Sequence, residues 1–282
     1  MLDLERRLGL PSVIAISLGA MLGSSLFVLP GVAAALTGPS MWLAFALAGV
    51  CVLPAALSKA ELATAMPTSG GSYVYLERAF GPMVGTICGL GLWMSLLLKS
   101  SFALVGLTWY LEMLTPINGQ LAAIAFLALV TALNILGVRK VGQAQIVMVG
   151  LSLVGLAVLV VLGQETYQPE LTQPFMPNGV DGLITCVAVV FISYAGVTKI
   201  AAIAEEVKNP GRNLPLGMLI TLVVAALLYV LMASIMAGNI DANLAVTEGG
   251  LQGDFRPVYS LALKVGGSTL GIVIALLGTL TM

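Results

Sequence analysis

Residues 18–31 read Leu18-Gly-Ala-Met-Leu-Gly-Ser-Ser-Leu-Phe-Val-Leu-Pro-Gly31. The stretch is apolar enough for a bilayer, yet Gly19, Gly23, Ser24, Ser25 and Pro30 stand where an uninterrupted membrane helix would carry leucine. Helix breakers survive in lipid only where the freed backbone groups find partners in the protein or in a wet cavity. Two readings are open. Gly19-x-x-x-Gly23 can be a small-residue face that lets another helix approach closely. Alternatively, the helix unwinds near Gly23–Ser25 and turns its backbone toward a ligand.

The rest of the chain sets the class. Its 282 residues are 59% hydrophobic and 9% charged, whereas about a quarter of the residues in soluble domains are charged. A hydrocarbon core of roughly 30 Å needs about 20 apolar residues per helix, and such runs lie near 12–36, 41–64, 83–112, 119–138, 143–163, 180–207, 215–237 and 266–282. Unpaired backbone groups are too costly in lipid for these runs to be open strands. The expected fold is therefore an all-α polytopic membrane protein with about 8 transmembrane segments, its partner environment the lipid bilayer. Ala65–Pro82 is too short and polar to cross and is expected to lie at the interface or fold back, and 239–265 reads as a polar loop.

A net charge of −1 and the lack of a basic run argue against a nucleic-acid partner. Cys51, Cys88 and Cys186 fall inside spans without metal-ligand spacing, and the chain has no histidine, so neither a disulfide framework, a metal site nor a cofactor is expected. No acid, base and nucleophile converge, which argues against an enzyme. The first apolar run is too long for a signal-peptide core and lacks a cleavage pattern, so the N-terminus is expected to be retained.

Lys and Arg in short loops mark the cytoplasmic side. With the N-terminus inside, that side receives Arg6, Arg7, Lys59, Arg78, Arg139, Lys140, Lys208 and Arg212, against Arg256 and Lys264 outside. The chain is thus expected in the cell (plasma or inner) membrane with a cytoplasmic N-terminus. Lys99 and Lys199 fall inside spans. A charge at mid-bilayer costs about 2.5–3.5 kcal/mol even on insertion scales, so both should face protein or water. Desolvation disfavours a charged amine, so either could load and release a proton as a cavity alternates between the two sides. Equally, each ammonium could only satisfy loose carbonyls or snorkel along its stem.

The sixth run, Phe191–Pro210, places Ser193, Gly196, Thr198 and Lys199 close together. Interruptions in the first and sixth spans, five apart, are the sequence pattern of a binding site between inverted repeats. Unwound helices offer N–H groups at one half-helix start and C=O groups at another end, a pair suited to a zwitterion.

These residues resemble the amino acid–polyamine–organocation (APC) superfamily permeases. Gly19–Phe27 is similar to the family's G-x-x-x-G-[ST]-G-[IV]-F motif. Pro67-Thr-Ser-Gly-Gly-Ser-Tyr-Val-Tyr75 with Phe80-Gly-Pro82 is similar to its P-x-[SA]-G-G-x-Y-x-Y…F-G-P signature. Phe191–Pro215, with Tyr194, Gly196, Glu205, Glu206, Asn209, Pro210 and Arg212, is similar to its sixth-helix pattern. The resemblance implies a leucine-transporter-type 5+5 inverted repeat in one permease domain over 1–282. The first repeat covers about 12–163, and the second, incomplete, about 180–282. It further implies secondary active transport of amino acids or related amines by alternating access, as proton-coupled symport or exchange.

Carried over position by position, the substrate carboxylate would meet N–H groups of Ser24, Ser25 and Leu26 beyond Gly23. The amine would meet carbonyls near Met21 and Leu22, and near Ile192 and Ala195 beside Tyr194 and Gly196. Tyr73, helped by Glu77, matches an inner-gate tyrosine; an interfacial aromatic anchor is its plainer reading. Lys99, Lys199 and Thr198 complete the coupling and gating set. Three positions depart from the pattern: Ser25 replaces a usual glycine, Thr198 stands where many members carry an acid, and Ser152 stands where some proton-coupled members carry lysine. The opposing expectation is a non-transporting membrane sensor with the same fold. Because the sequence stops inside the eighth run, at GIVIALLGTLTM, it reads as part of a longer permease, and residues 1–282 alone are expected to show no coupled flux.

Overall fold

The computed structural model describes residues 6, 8–68, 70–114, 118–136, 138–240, 246–247, 250–251 and 256–281. Arg7, Met282 and residues 241–245, 248–249 and 252–255 of the 239–265 loop lie outside the described residues, as do the side chains of Arg139, Lys140 and Thr198. The architecture is all-α. Its helices are α1 (Leu10–Phe27), α2 (Leu29–Thr37), α3 (Met41–Ala65), α4 (Ser72–Phe80) and α5 (Pro82–Leu114). They continue as α6 (Gly119–Leu136), α7 (Val138–Glu165), α8 (Gly179–Val190), α9 (Pro210–Asn239) and α10 (Pro257–Thr281). A 3₁₀ segment, Phe191–Glu206, continues α8. In the loop before α10, Val246–Thr247 and Gly250–Leu251 form a two-residue antiparallel ladder.

Among the described residues seven helices are long and apolar enough to cross a membrane, and Gly119–Ala132 is a shorter apolar helix. Prolines and glycines set the boundaries. Pro11, Pro30 and Pro82 sit at or beside helix starts, where a missing N–H costs nothing. Gly38 ends α2 with φ 66°, and Gly81 precedes α5 with φ 89°. The expected first span, 12–36, is two helices: α1 stops at Phe27, and α2 runs through a 3₁₀ turn, Gly38–Ser40, into α3. The last span also differs, since α10 begins at Pro257 and not near 266. Gly266–Gly267 looks like a boundary in sequence, but Gly267 (φ 69°) is a kink within the helix.

The core forms around α1, which packs against the 3₁₀ segment, α9, α7 and α10, while α3 lies along α9. Met21, Leu22, Leu26, Phe27, Phe45, Tyr110, Tyr194 and Tyr229 are fully buried there. By contrast, α5 turns Ile87, Leu90, Trp93, Met94 and Leu98 outward, as a lipid-facing helix does. The N-terminal end of α1 is joined to the exit of the 3₁₀ segment by backbone bonds: Leu8 N–H donates to the Glu206 carbonyl at 3.0 Å, and Lys208 N–H donates to the Leu8 carbonyl at 2.9 Å. At the far end, the Asn239 amide donates to the carbonyls of Gly163 (2.8 Å) and Ile235 (2.9 Å), and the Thr166 hydroxyl donates to its oxygen at 2.5 Å. The Lys264 ammonium caps the Asn239 carbonyl, so the ends of α7 and α9 are tied to α10.

Candidate functional site

α1 breaks where its sequence turns to small residues. Gly23 has ψ −125°, outside the helical range, while the residues on either side remain helical. Met21, Leu22, Ser24, Ser25 and Leu26 are all buried around this break. A helix interrupted inside a core leaves donors and acceptors that something must satisfy.

In the sixth span the winding changes from α to 3₁₀ at Phe191, two residues before Ser193, and stays 3₁₀ through Glu206. Bonds of the i→i+3 kind have poorer geometry, and runs beyond 3–4 residues are uncommon. The small residues of this segment let its backbone come close to α1. A methyl group on Gly196 would stand 3.1 Å from both the Ala20 carbonyl carbon and the Met21 nitrogen. The Ser17 hydroxyl donates to the Gly196 carbonyl at 3.3 Å.

Tyr229 of α9 joins the two segments. Its hydroxyl donates to the Met21 carbonyl at 2.6 Å and lies 3.3 Å from the Ser193 carbonyl. The ring meets Tyr194 edge-on at 5.3 Å and Phe45 at a 35° tilt at 5.4 Å, and Tyr194 is itself fixed by donating to the Phe45 carbonyl at 2.8 Å. The Ser193 hydroxyl is fully buried and has no partner in the protein. Such a group costs free energy until something bonds it.

The expected site residues divide accordingly. Met21, Leu22, Gly23, Ser24, Ser25 and Leu26 are brought against Tyr194, Ala195 and Gly196. The half-buried Lys99 donates to the Ala20 carbonyl at 3.1 Å, which places its ammonium at the turn before the break. Ile192 and Lys199 are exposed, and the Lys199 ammonium lies near enough to Lys99 for their like charges to interact.

Tyr73 and Glu77 lie on α4, against α5: the Tyr73 ring covers Gly89 and the Glu77 stem covers Gly85. The Tyr73 hydroxyl hydrogen-bonds the Glu77 carboxylate. That bond first, and then the carboxylate's charge, raise the phenol above the ordinary tyrosine range. A methyl group on Gly71, just before α4, would stand 3.3–3.5 Å from the backbone of Ala201 and Ala202, so this pair adjoins the 3₁₀ segment without entering the junction.

Sequence reasoning missed Ser17, Phe45 and Tyr229. For Tyr229 a signal existed, since it is the single tyrosine of α9 and a phenol buried in an apolar span needs a hydrogen-bond partner.

These helices define a multi-pass membrane protein with an interrupted helix at its centre. Residues 8–282 match the amino acid permease family, and the chain belongs to it. Over 259 residues it is 31% identical to the branched-chain amino acid permease BcaP of Bacillus subtilis (strain 168), covering 84% of this chain and 56% of that protein. Over 266 residues it is 30% identical to cationic amino acid transporter 9, chloroplastic, of Arabidopsis thaliana, covering 86% and 47%. It is also 28% identical over 256 residues to the methylthioribose transporter of Bacillus subtilis, covering 84% and 56%. The chain thus spans about half the length of these relatives.

Proposed function

We propose that the protein is a secondary active transporter of amino acids in the cell membrane, with a cytoplasmic N-terminus. It works by alternating access between two inverted repeats, about 12–163 and from about 180 onward, within one domain. The observation that carries this reading is the junction itself: a helix broken at Gly23 faces a 3₁₀ segment whose buried Ser193 hydroxyl has no protein partner. The N–H groups of Ser24, Ser25 and Leu26 suit a carboxylate at the start of a half-helix. The carbonyls before the break suit an ammonium.

The printed substrates of the relatives differ, and the residues at the junction favour one class among them. Phe45, Tyr194, Tyr229 and Met21 are uncharged, and the charged groups near them are the ammoniums of Lys99 and Lys199, which carry like charge. A further cation would be repelled there, so a neutral, apolar amino acid fits better than a cationic one. Lys99 is the proposed proton carrier, because it couples an ionisable amine to the backbone just before the break.

The test is uptake by the native gene product carrying residues 1–282, reconstituted in proteoliposomes, using labelled leucine and labelled arginine with and without an inward proton gradient. Saturable leucine uptake that the gradient stimulates is expected, with Lys99→Ala losing the stimulation. Saturable leucine binding without flux would replace transport with a sensor. Absence of both binding and flux for the two amino acids would overturn the reading.

A further inference from the structure

We infer that Tyr110 of α5 is a positioning residue for the carboxylate half of the site: its hydroxyl fixes the turn of α1 beyond the break, and with it the N–H groups of Ser24, Ser25 and Leu26. This inference rests on the transport reading above. Three observations carry it. First, the Phe27 carbonyl has lost its helical donor. A continuous helix would give it the N–H of Gly31, but that N–H donates to the Val28 carbonyl at 3.1 Å. Pro30 accounts for the change, because it lacks an N–H and its ring crowds the preceding turn. Second, the Tyr110 hydroxyl supplies the missing donor at 2.8 Å. Both residues are fully buried, so bulk water cannot stand in for it. Third, the donor has one place to be. The Tyr110 ring meets Phe27 edge-on with centroids 5.9 Å apart, and on its α10 side a methyl group on Gly278 would stand only 3.0 Å away.

The backbone before the break has other anchors. Lys99, also on α5, donates to the Ala20 carbonyl at 3.1 Å, and Tyr229 donates to the Met21 carbonyl at 2.6 Å. The ammonium half and the carboxylate half of the site are thus fixed by separate side chains, on either side of Gly23. Removing the Tyr110 hydroxyl leaves a buried carbonyl without a donor, which costs free energy until the backbone shifts to satisfy it. The nearest relief is for Phe27 to recover the N–H of Gly31. That shift turns the N–H groups of Ser24, Ser25 and Leu26 out of line, while the carbonyls before the break stay under their own anchors.

The loss should therefore fall on ligands that carry a carboxylate and spare one that has only the ammonium. One hydrogen bond corresponds to roughly a two- to tenfold change in Kd. The experiment measures binding of labelled leucine to the native gene product in nanodiscs. It also measures displacement of that leucine by 4-methylpentanoate, which keeps the carboxylate, and by 3-methylbutylamine, which keeps the ammonium. Tyr110→Phe, which retains the ring, should raise the Kd for leucine and the Ki for 4-methylpentanoate by about three- to tenfold, and leave the Ki for 3-methylbutylamine within about twofold. Gly278→Ala keeps the hydroxyl but presses on the Tyr110 ring at 3.0 and 3.1 Å and on Phe27 at 3.2 Å, so it should give the same selective loss.

If one of the two variants does not fold, the other decides. Leucine affinity equal to wild type, or a Ki for 3-methylbutylamine that rises as far as that for 4-methylpentanoate, would overturn the positioning role while leaving amino-acid binding intact. A wild-type protein that binds no leucine overturns the inference and removes the support for a neutral amino-acid substrate.

Discussion

Gly196 has no room for a side chain. A methyl there would press on the Ala20 and Met21 backbone at 3.1 Å, and that backbone cannot give without reshaping the break at Gly23. Gly196→Ala should destabilise the protein by about 1–3 kcal/mol, the usual cost of overpacking. Gly91→Ala is the control. Its added methyl meets nothing within 4 Å, so the gain in helix propensity should leave stability unchanged or raised by up to about 1 kcal/mol. Thermal unfolding in nanodiscs separates the two. At this scale the sequence was partly legible. Gly23 followed by two serines announced a break, because such residues have no reason to interrupt an apolar run otherwise. Tyr229 was harder to read, since its partners Met21 and Ser193 stand 208 and 36 residues away along the chain. Nothing local says which carbonyls a buried phenol will reach.

Among the elements, α1 and the 3₁₀ segment are stitched at three levels. Leu8 bonds the backbone on either side of Val207, Ser17 bonds Gly196, and Tyr229 bridges Met21 and Ser193. The two segments run in opposite directions, so the stitches lie along one seam and should keep them together as a single body. The expected consequence is that a disulfide between Leu8→Cys and Val207→Cys forms under mild oxidation and leaves at least half of leucine uptake, in a background free of Cys51, Cys88 and Cys186. Loss of nearly all uptake on oxidation, reversed by reduction, would show that the seam opens during transport. The seam was not readable from sequence. The hydrophobic pattern of Phe191–Glu206 fits either three or nearly four residues per turn, so its tighter winding could not be told apart. The glycine pair at 266–267 misled for a related reason: glycine marks both ends of helices and kinks within them.

For the whole molecule, the apolar exterior of α5 and the composition of the chain made the membrane class legible at once, since no core could bury so much hydrophobic surface. Orientation depends on loop charges alone. A cysteine at Lys208 should react with a membrane-impermeant maleimide only after cells are opened, and one at Glu170 should react in intact cells. Both positions are exposed. The reverse pattern would invert the topology.

The bonds between Leu8 and the backbone around Val207 also bear on how the protein is made. They close a loop of about two hundred residues, so the first span to leave the ribosome waits for the sixth. At about 5–20 residues per second that delay is roughly ten to forty seconds. During that time the break at Gly23 and the hydroxyl of Ser17 sit in the insertion machinery or the bilayer without their final neighbours. The residues that build the site are thus a liability during biogenesis, and early synthesis is when a chaperone of membrane insertion has most to protect.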